Sequence, residues 1–505
     1  MITQMRTNLH LYLSLSLALF SLLLFWQFSQ DEFLRGPDAY YYALQADYWA
    51  TTGNVKIPDS SIVHRINGVL TRTGMGAETA VRTWTCFSLL ILGLLSGLTI
   101  RRSNTLLLAG LAGWLLLSPS LLFTAIEFSS LFSMLLVWPV VMYCLTRPKP
   151  YTLFAILPAL LAVFMHKAAI PLSSLICVLV LLENRSLIFH RRKLVLMAMA
   201  VTVGIAGLYF LKSDHFHWLD LHRLGDWQNP SPGVVTLLNR EAVPQAIKLE
   251  LLGSIFLFLV AIAAYLKRNP HQRWSAYYAV ALVIPAWIPF SADEVLGVGE
   301  RYALLMPFLA VLSVLMLASK QTIDVKLRHA SLVPIGYLIF FLASFWRLSY
   351  SHPRYLDPDN RIYANVTQQI AQDNIPMLIA HRGLNFYYKF KTHKESFPYE
   401  PEPHWNKTHI WRLTYEITAD EFTYHLPDAC QWNSGLIKST NENGYFLIRE
   451  DCWAKFRETV HEDEDQYLYD RIWHYWRNPS KARPDFLYRK HENESTEQKD
   501  EFSTF

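Results

Sequence analysis

The chain has 505 residues, 52% of them hydrophobic, 14% aromatic and only 17% charged, with a formal net charge of +4. That balance excludes a disordered chain and lacks the concentrated basic field that nucleic acid demands. Residues 1–347 are apolar runs joined by short polar connections, whereas 348–505 hold charge, Trp, Tyr, Pro and His and no run long enough to span a bilayer. The expected architecture is an α-helical polytopic membrane domain over 1–347, a soluble α/β domain over 348–488 and a disordered polar tail over 489–505.

The first apolar stretch, residues 9–28, has no small-x-small cleavage site after it and runs into Asp31-Glu32-Phe33, so it reads as an uncleaved span. Apolar length then predicts about eleven transmembrane helices, at 9–29, 83–100, 105–119, 130–145, 152–165, 168–182, 194–211, 250–266, 275–290, 302–318 and 331–347. The connections alternate in character. One set, from Arg101-Arg102 to the segment 320–328, carries 14 Lys and Arg against only Glu183 and Asp324. The Lys/Arg excess marks the cytoplasmic side. The segments 30–82, 120–129, 212–249 and 291–301, with the C-terminal domain, then lie outside.

Residues 152–182 as one helix would be about 46 Å long, well beyond the hydrocarbon thickness. A hairpin pivoting at His166-Lys167 keeps both basic ends on one side. It puts these two residues at the outer surface or in an outward-facing cavity.

The outer loop 30–82 is expected to hold two short amphipathic helices. Pro37-Asp38 starts the first and Gly53 ends it, with Tyr41, Leu44, Tyr48 and Trp49 as one face. Ser60-Ser61 starts the second and Gly74 stops it, with Ile62, Ile66, Val69 and Leu70 as its apolar face. Such helices either cap the bundle or lie in the headgroup layer.

The stretch Gly36-Pro37-Asp38-Ala39-Tyr40-Tyr41-Tyr42-Ala43-Leu44-Gln45-Ala46-Asp47-Tyr48 resembles the opening of the GT-C superfamily of membrane glycosyltransferases, in which an acidic residue precedes aromatics and A-x-x-Y. The segment Arg301-Tyr302-Ala303-Leu304-Leu305-Met306-Pro307-Phe308 is similar to the R-Y-x-L-x-x-P stretch of protein O-mannosyltransferase-like and aminoarabinose-transferase-like members. The resemblance covers residues 1–347. It implies transfer of a sugar from a polyprenyl-phosphate or polyprenyl-diphosphate carrier to a glycan, lipid or protein acceptor on the non-cytoplasmic face.

That chemistry needs a carboxylate for the acceptor hydroxyl, cations for the leaving phosphate and a groove for the isoprenoid chain. The resemblance assigns the carboxylate to Asp38, which by itself also reads as a helix cap. Asp47, further along the same helix, reads as a solvated partner of an Arg. Glu127 is the only acid in its apolar outer turn, a costly placement that points to function or a specific partner. Lys167 and Arg301 are the candidates for the carrier phosphate, or else snorkelling cations at helix ends. His166, Tyr41 and Tyr302 complete the expected substrate contacts, and one of Asp293, Glu294 and Glu300 is expected to pair with Arg301.

The loose group of Asp214, His215, His217, Asp220 and His222 matches no zinc spacing. Residues 1–347 lack the D-x-D or D-x-E acids of the oligosaccharyltransferase type, and a divalent cation, Mg or Mn, stays open as a cofactor. In the C-terminal domain, strands are expected at Met377-Leu378-Ile379-Ala380, Ile410-Trp411-Arg412-Leu413 and Tyr445-Phe446-Leu447-Ile448, a helix around Ile362–Ile370, and an exposed aromatic loop over residues 387–402. The domain either stacks an acceptor glycan on Trp and Tyr or braces the outer loops. Cys86, Cys144 and Cys177 fall in spans, whereas Cys430 and Cys452 fall where an oxidising compartment permits a disulfide. The competing classes are a transporter or flippase of lipid-linked sugars and a non-catalytic envelope polysaccharide assembly protein. The location expected is a bacterial inner membrane with the C-terminal domain in the periplasm.

Overall fold

The computed structural model describes scattered residues between 19 and 34, then 39–57, 59, 61–99, 118–127, 129–166, 168–186, 230–239, 245–269, 273–291, 298–319, 357–380, 382–397, 406–414, 428–432 and 446–453. The chain forms two compact units: Met1–Asp31 with Gln45–His352, and Glu32–Leu44 with Pro353–Phe505.

The two outer helices form as the sequence predicts. Helix α1 (Ala39–Thr52) ends at Gly53, whose φ of +80° only glycine adopts without strain and whose N–H donates to the Trp49 carbonyl at 2.8 Å. Helix α2 (Ile62–Arg72) is capped by Ser61, which accepts from the Val63 N–H, and is followed by Gly74 at φ +98°. The two helices meet where Gly68 faces Trp49; a Cβ at Gly68 would stand 2.4 Å from the indole. Arg72 stacks on Trp49 at 4.6 Å, and its Nε donates to the Ala50 carbonyl at 2.7 Å, placing a cation on the open C-terminal end of α1.

The predicted apolar face of α2 is its more open one. Val63, His64, Asn67 and Gly68 are buried, while Val69, on the predicted apolar face, is 49% exposed. An interfacial helix does this when its greasy side meets lipid and its polar side meets protein.

The remaining membrane-type helices are α3 (Ala77–Thr99), α4 (Pro119–Glu127), α5 (Ser129–Met134), α6 (Trp138–Leu145), α7 (Ile156–Met165), α8 (Ala169–Glu183), α9 (Gly233–Asn239), α10 (Gln245–Arg268), α11 (Arg273–Val283) and α12 (Val298–Ser319). Of the expected spans, 9–29, 105–119, 194–211 and 331–347 lie wholly or mostly outside the described residues. The other seven are built on helix. Among the described residues only Ala77–Ser96 and Ile247–Arg268 are long and apolar enough to cross a membrane, with a third if Pro119–Ala125 and Ser129–Leu145, bent by 114°, count as one.

The shortfall from seven has local causes. The expected 275–290 span stops at Val283, because a 3-10 turn with Pro285 follows and Pro289–Ser291 (β2) pairs antiparallel with Pro230–Pro232 (β1). The expected 130–145 span is interrupted by a 3-10 turn at Leu135–Val137 before Pro139. The hairpin expected within 152–182 is present: α7 and α8 pack together, with Ser173 Oγ donating to the Ala159 carbonyl at 2.6 Å.

Helix α12 is the hub, packing on α4, α9, α10 and α11, and is apolar all round because it is enclosed all round. By contrast α10 turns Leu249, Phe256 and Leu259 outward, as α7 does Phe154's neighbour Leu157, which suits lipid rather than water.

The second unit contains a four-stranded sheet in the order β4-β3-β5-β6, from Met377–Ala380 (β3), Ser396–Phe397 (β4), Ile410–Thr414 (β5) and Phe446–Arg449 (β6). Strand β3 runs parallel to β4 and β5, and β6 runs antiparallel to β5. The three expected strands are found within a residue of their predicted ends. The expected loop over 387–402 is not: its first part belongs to α14 (Arg382–Thr392), packed on α13 (Asp357–Ile370). Its aromatics are buried rather than displayed, with Phe386, Tyr387 and Tyr388 each under 5% exposed. Tertiary packing overrode the turn-like composition.

A disulfide joins Cys430 and Cys452, with Cα atoms 5.9 Å apart. The neighbouring Arg412 and Glu450 form a buried bidentate pair at 2.8 and 3.1 Å.

Candidate active site

Two segments of the first unit, one leading into α2 and one at the start of α12, converge on the turn between α7 and α8. The His166 N–H closes the end of α7 on the Ala162 carbonyl, and His166 Nδ1 accepts from the Ala168 N–H at 3.0 Å. The ring is thus spent on shaping the turn, with its proton on Nε2. From α2, Ser61 Oγ donates to the Met165 carbonyl at 2.6 Å. From α12, the buried Tyr302 hydroxyl donates to the Ala168 carbonyl. Lys167 lies outside the described residues, but both its neighbours are held in this way. Arg301, half-buried, is the residue next to Tyr302 on α12.

The buried side of α2 adds polar groups that the sequence reading did not single out. Asp59 accepts the Ser61 N–H at 2.8 Å, and its other oxygen stands 3.1 Å from His64 Nε2. Asn67, one turn on from His64, is fully buried, and its amide has no hydrogen-bond partner among the described residues. Buried orphans of this kind are uncommon in native proteins. The signal available in the sequence was the interruption of an amphipathic pattern by His and Asn at i and i+3.

Helix α4, on which Glu127 is the last residue, is held at its other end by a further residue that the sequence did not single out. Glu250, at the start of α10, accepts from Ser118 Oγ at 2.5 Å and from the Ser120 N–H and hydroxyl at 3.0 and 2.6 Å. A carboxylate at a helix N-terminus meets unpaired N–H groups and the positive end of the dipole. Glu127's side chain lies outside the described residues.

Asp38 also lies outside the described residues, as do Asp293, Glu294 and the group at 214–222; so does the side chain of Glu300. Asp47 is half-buried and gathers no other acid. Tyr41 packs on Tyr42 at 5.5 Å and on Phe386 at 5.0 Å within the second unit. His166 and Tyr302 therefore meet at one turn of the first unit, with Arg301 next to Tyr302 in sequence, and Tyr41 belongs to the second unit. Among the described residues no three His, Cys, Asp or Glu side chains come together as a metal ion would require.

No known protein family's sequence profile matches the chain, and no curated protein does. Its fold, however, is similar to that of ArnT from Cupriavidus metallidurans. Bound to undecaprenyl phosphate, that structure matches with a TM-score of 0.53 and 13% identity, over 86% of this chain and 97% of the other. The apo structure matches with a TM-score of 0.55 and 14% identity over the same shares.

Proposed function

We propose that the protein is a membrane glycosyltransferase of the GT-C kind that takes its sugar from a polyprenyl-phosphate or polyprenyl-diphosphate carrier. The observation that carries this reading is the fold: nearly the whole of a structure that binds undecaprenyl phosphate superposes on this chain. The convergence of α2 and α12 on the 165–168 turn supports it, because one expected cation for a lipid phosphate, Lys167, belongs to that turn and the other, Arg301, is next to Tyr302 in sequence. The setting is a bacterial inner membrane, with the acceptor and the C-terminal unit on the periplasmic side.

In this mechanism an acceptor hydroxyl attacks the anomeric carbon while the bond from that carbon to the phosphate oxygen breaks. The configuration inverts, and the carrier leaves as polyprenyl phosphate from a monophosphate donor or as polyprenyl diphosphate from a diphosphate donor. Asp38 takes the hydroxyl proton. Glu127 orients the acceptor. Arg301, with a planar fork, and Lys167, with a point charge, hold the charge that develops on the leaving phosphate. Tyr302 and His166 fix the turn beneath them, and Tyr41 lines the approach.

The test is a full-length Asp38→Asn variant assayed with a lipid extract of the source membrane as donor pool, reading free polyprenyl phosphate released. Wild-type release and a silent, folded variant are expected. Near-normal release by the variant would remove Asp38 from the mechanism. Absence of release by wild type, together with no undecaprenyl phosphate retained in native mass spectrometry, would remove the reading itself.

A further inference from the structure

We propose that helix α14 holds the first outer segment in place, making Tyr40 and Tyr387 positioning residues for Asp38. The inference rests on the role given to Asp38 above. The residues on both sides of Asp38, Phe33-Leu34 before it and Ala39–Leu44 after it, belong to the C-terminal unit. They are part of its core, with Leu34 3% and Tyr40 1% exposed.

Two features turn this packing into a clasp. First, the Leu34 N–H donates to the Tyr40 hydroxyl at 3.3 Å, which pins the chain before Asp38 to the chain after it. Second, that tyrosine is seated on α14. Its ring meets Tyr387 edge-on at 4.6 Å and Phe390 at 5.6 Å, Phe33 approaches Tyr387 at 6.3 Å, and Tyr41 approaches Phe386 at 5.0 Å. The Lys391 ammonium stands 5.8 Å from the Tyr40 ring and 5.1 Å from Phe390. It sits near the electron-rich faces of this aromatic cluster.

The seat itself has little freedom. A Cβ at Gly383 would lie 2.9 Å from the Tyr363 hydroxyl, so α14 lies tight against α13, and Tyr363 also reaches Tyr387 at 6.3 Å. A phenylalanine at position 40 would fill the same aromatic space, so packing alone leaves the hydroxyl without a purpose. The hydroxyl is what ties the two flanks together. A reacting carboxylate displaced by about 1 Å loses about a hundredfold in rate, so a rigid seat for its flanking residues has direct catalytic value.

The experiment compares full-length wild type, Tyr40→Phe and Tyr387→Leu in detergent by hydrogen exchange and by release of polyprenyl phosphate from source-membrane lipid extract. In both variants the amides of residues 34 and 39–41 are expected to exchange about tenfold faster, while α8 and α12 stay protected. The maximal release rate should fall by about tenfold or more, with the half-saturating extract concentration within about twofold of wild type. Unchanged exchange in folded variants overturns the proposal. So does faster exchange with an unchanged release rate, since the contacts would then serve only folding. A wild-type chain that releases nothing overturns the glycosyltransferase reading instead, and the exchange comparison alone then decides whether α14 holds the segment.

Discussion

The hydroxyl of Tyr302 donates to the backbone carbonyl of Ala168, tying the start of α12 to the outer turn between α7 and α8. Tyr302 is 1% exposed, so its influence on a substrate runs through the turn rather than through contact. Tyr302→Phe should cost about 1 kcal/mol of stability, the net value of one buried hydrogen bond. Undecaprenyl phosphate should bind about threefold to tenfold more weakly as the turn loosens, by up to about 1.4 kcal/mol. Thermal unfolding in detergent and lipid retention in native mass spectrometry check the two halves, and unaltered retention would separate the turn from the carrier.

Glu250 and Ser120 offer a second handle, this time on the helix that ends in Glu127. The carboxylate accepts three hydrogen bonds at the N-terminus of α4. Glu250→Gln keeps the shape but replaces one acceptor oxygen by a donor, which the Ser120 N–H cannot use. A loss of about 1–3 kcal/mol follows from removing a charged acceptor in a partly buried site. Exchange at the α4 amides should rise while α7 and α8 stay protected; equal protection in the variant would show that α4 is held by its packing on α12 instead.

The sequence carried the helices of the first outer loop nearly to the residue, because Gly53, Ser61 and Gly74 are punctuation whose backbone meaning does not depend on partners. It carried the α7–α8 hairpin through length and the basic residues at both ends. It found the stripe of α2 and left its covering open, since periodicity cannot say whether lipid or protein lies against a face. It missed α14 for a similar reason: Phe386, Tyr387 and Phe390 form a helix because Tyr40, Tyr41 and Tyr363 are there to receive them. Asp59 and Glu250 were illegible because each owes its position to a partner or an adjoining segment that only the fold defines.

Arg449 and Asp451 predict an acid limit for the C-terminal unit. Two hydrogen bonds from the guanidinium, at 2.6 and 2.9 Å, hold the Asp451 carboxyl below the usual carboxylate range. A depressed folded-state value means that the pair stabilises the fold above the unfolded value, about pH 4, and that this contribution is lost as pH falls through the lower folded value. The pair is open to solvent, so the contribution is about 0.5 kcal/mol. Asp451→Asn should therefore lower stability at pH 7 and leave it nearly unchanged at pH 2.5, as read by chemical denaturation followed on tryptophan fluorescence. Equal losses at both pH values would show that the carboxylate charge plays no part.

Cys430 and Cys452 close a loop across 22 positions, and the segment just after Cys430 extends the sheet: Gln431 bridges Ile448, and the Trp432 N–H donates to the Leu447 carbonyl at 3.1 Å. The bond therefore fastens a sheet edge that short backbone pairing alone would hold weakly. Chain-entropy arguments give about 3 kcal/mol for a loop of this length. Cys452→Ser should lose about that much and become insensitive to reductant, whereas wild type should fall to the same level when reduced. The exchange of β6 amides should report the loss first. Mass spectrometry of the protein purified from its native membrane supplies the decisive control. Two free thiols there would mean that the C-terminal unit folds in a reducing compartment, which would overturn the periplasmic placement along with the stabilising role of the bond.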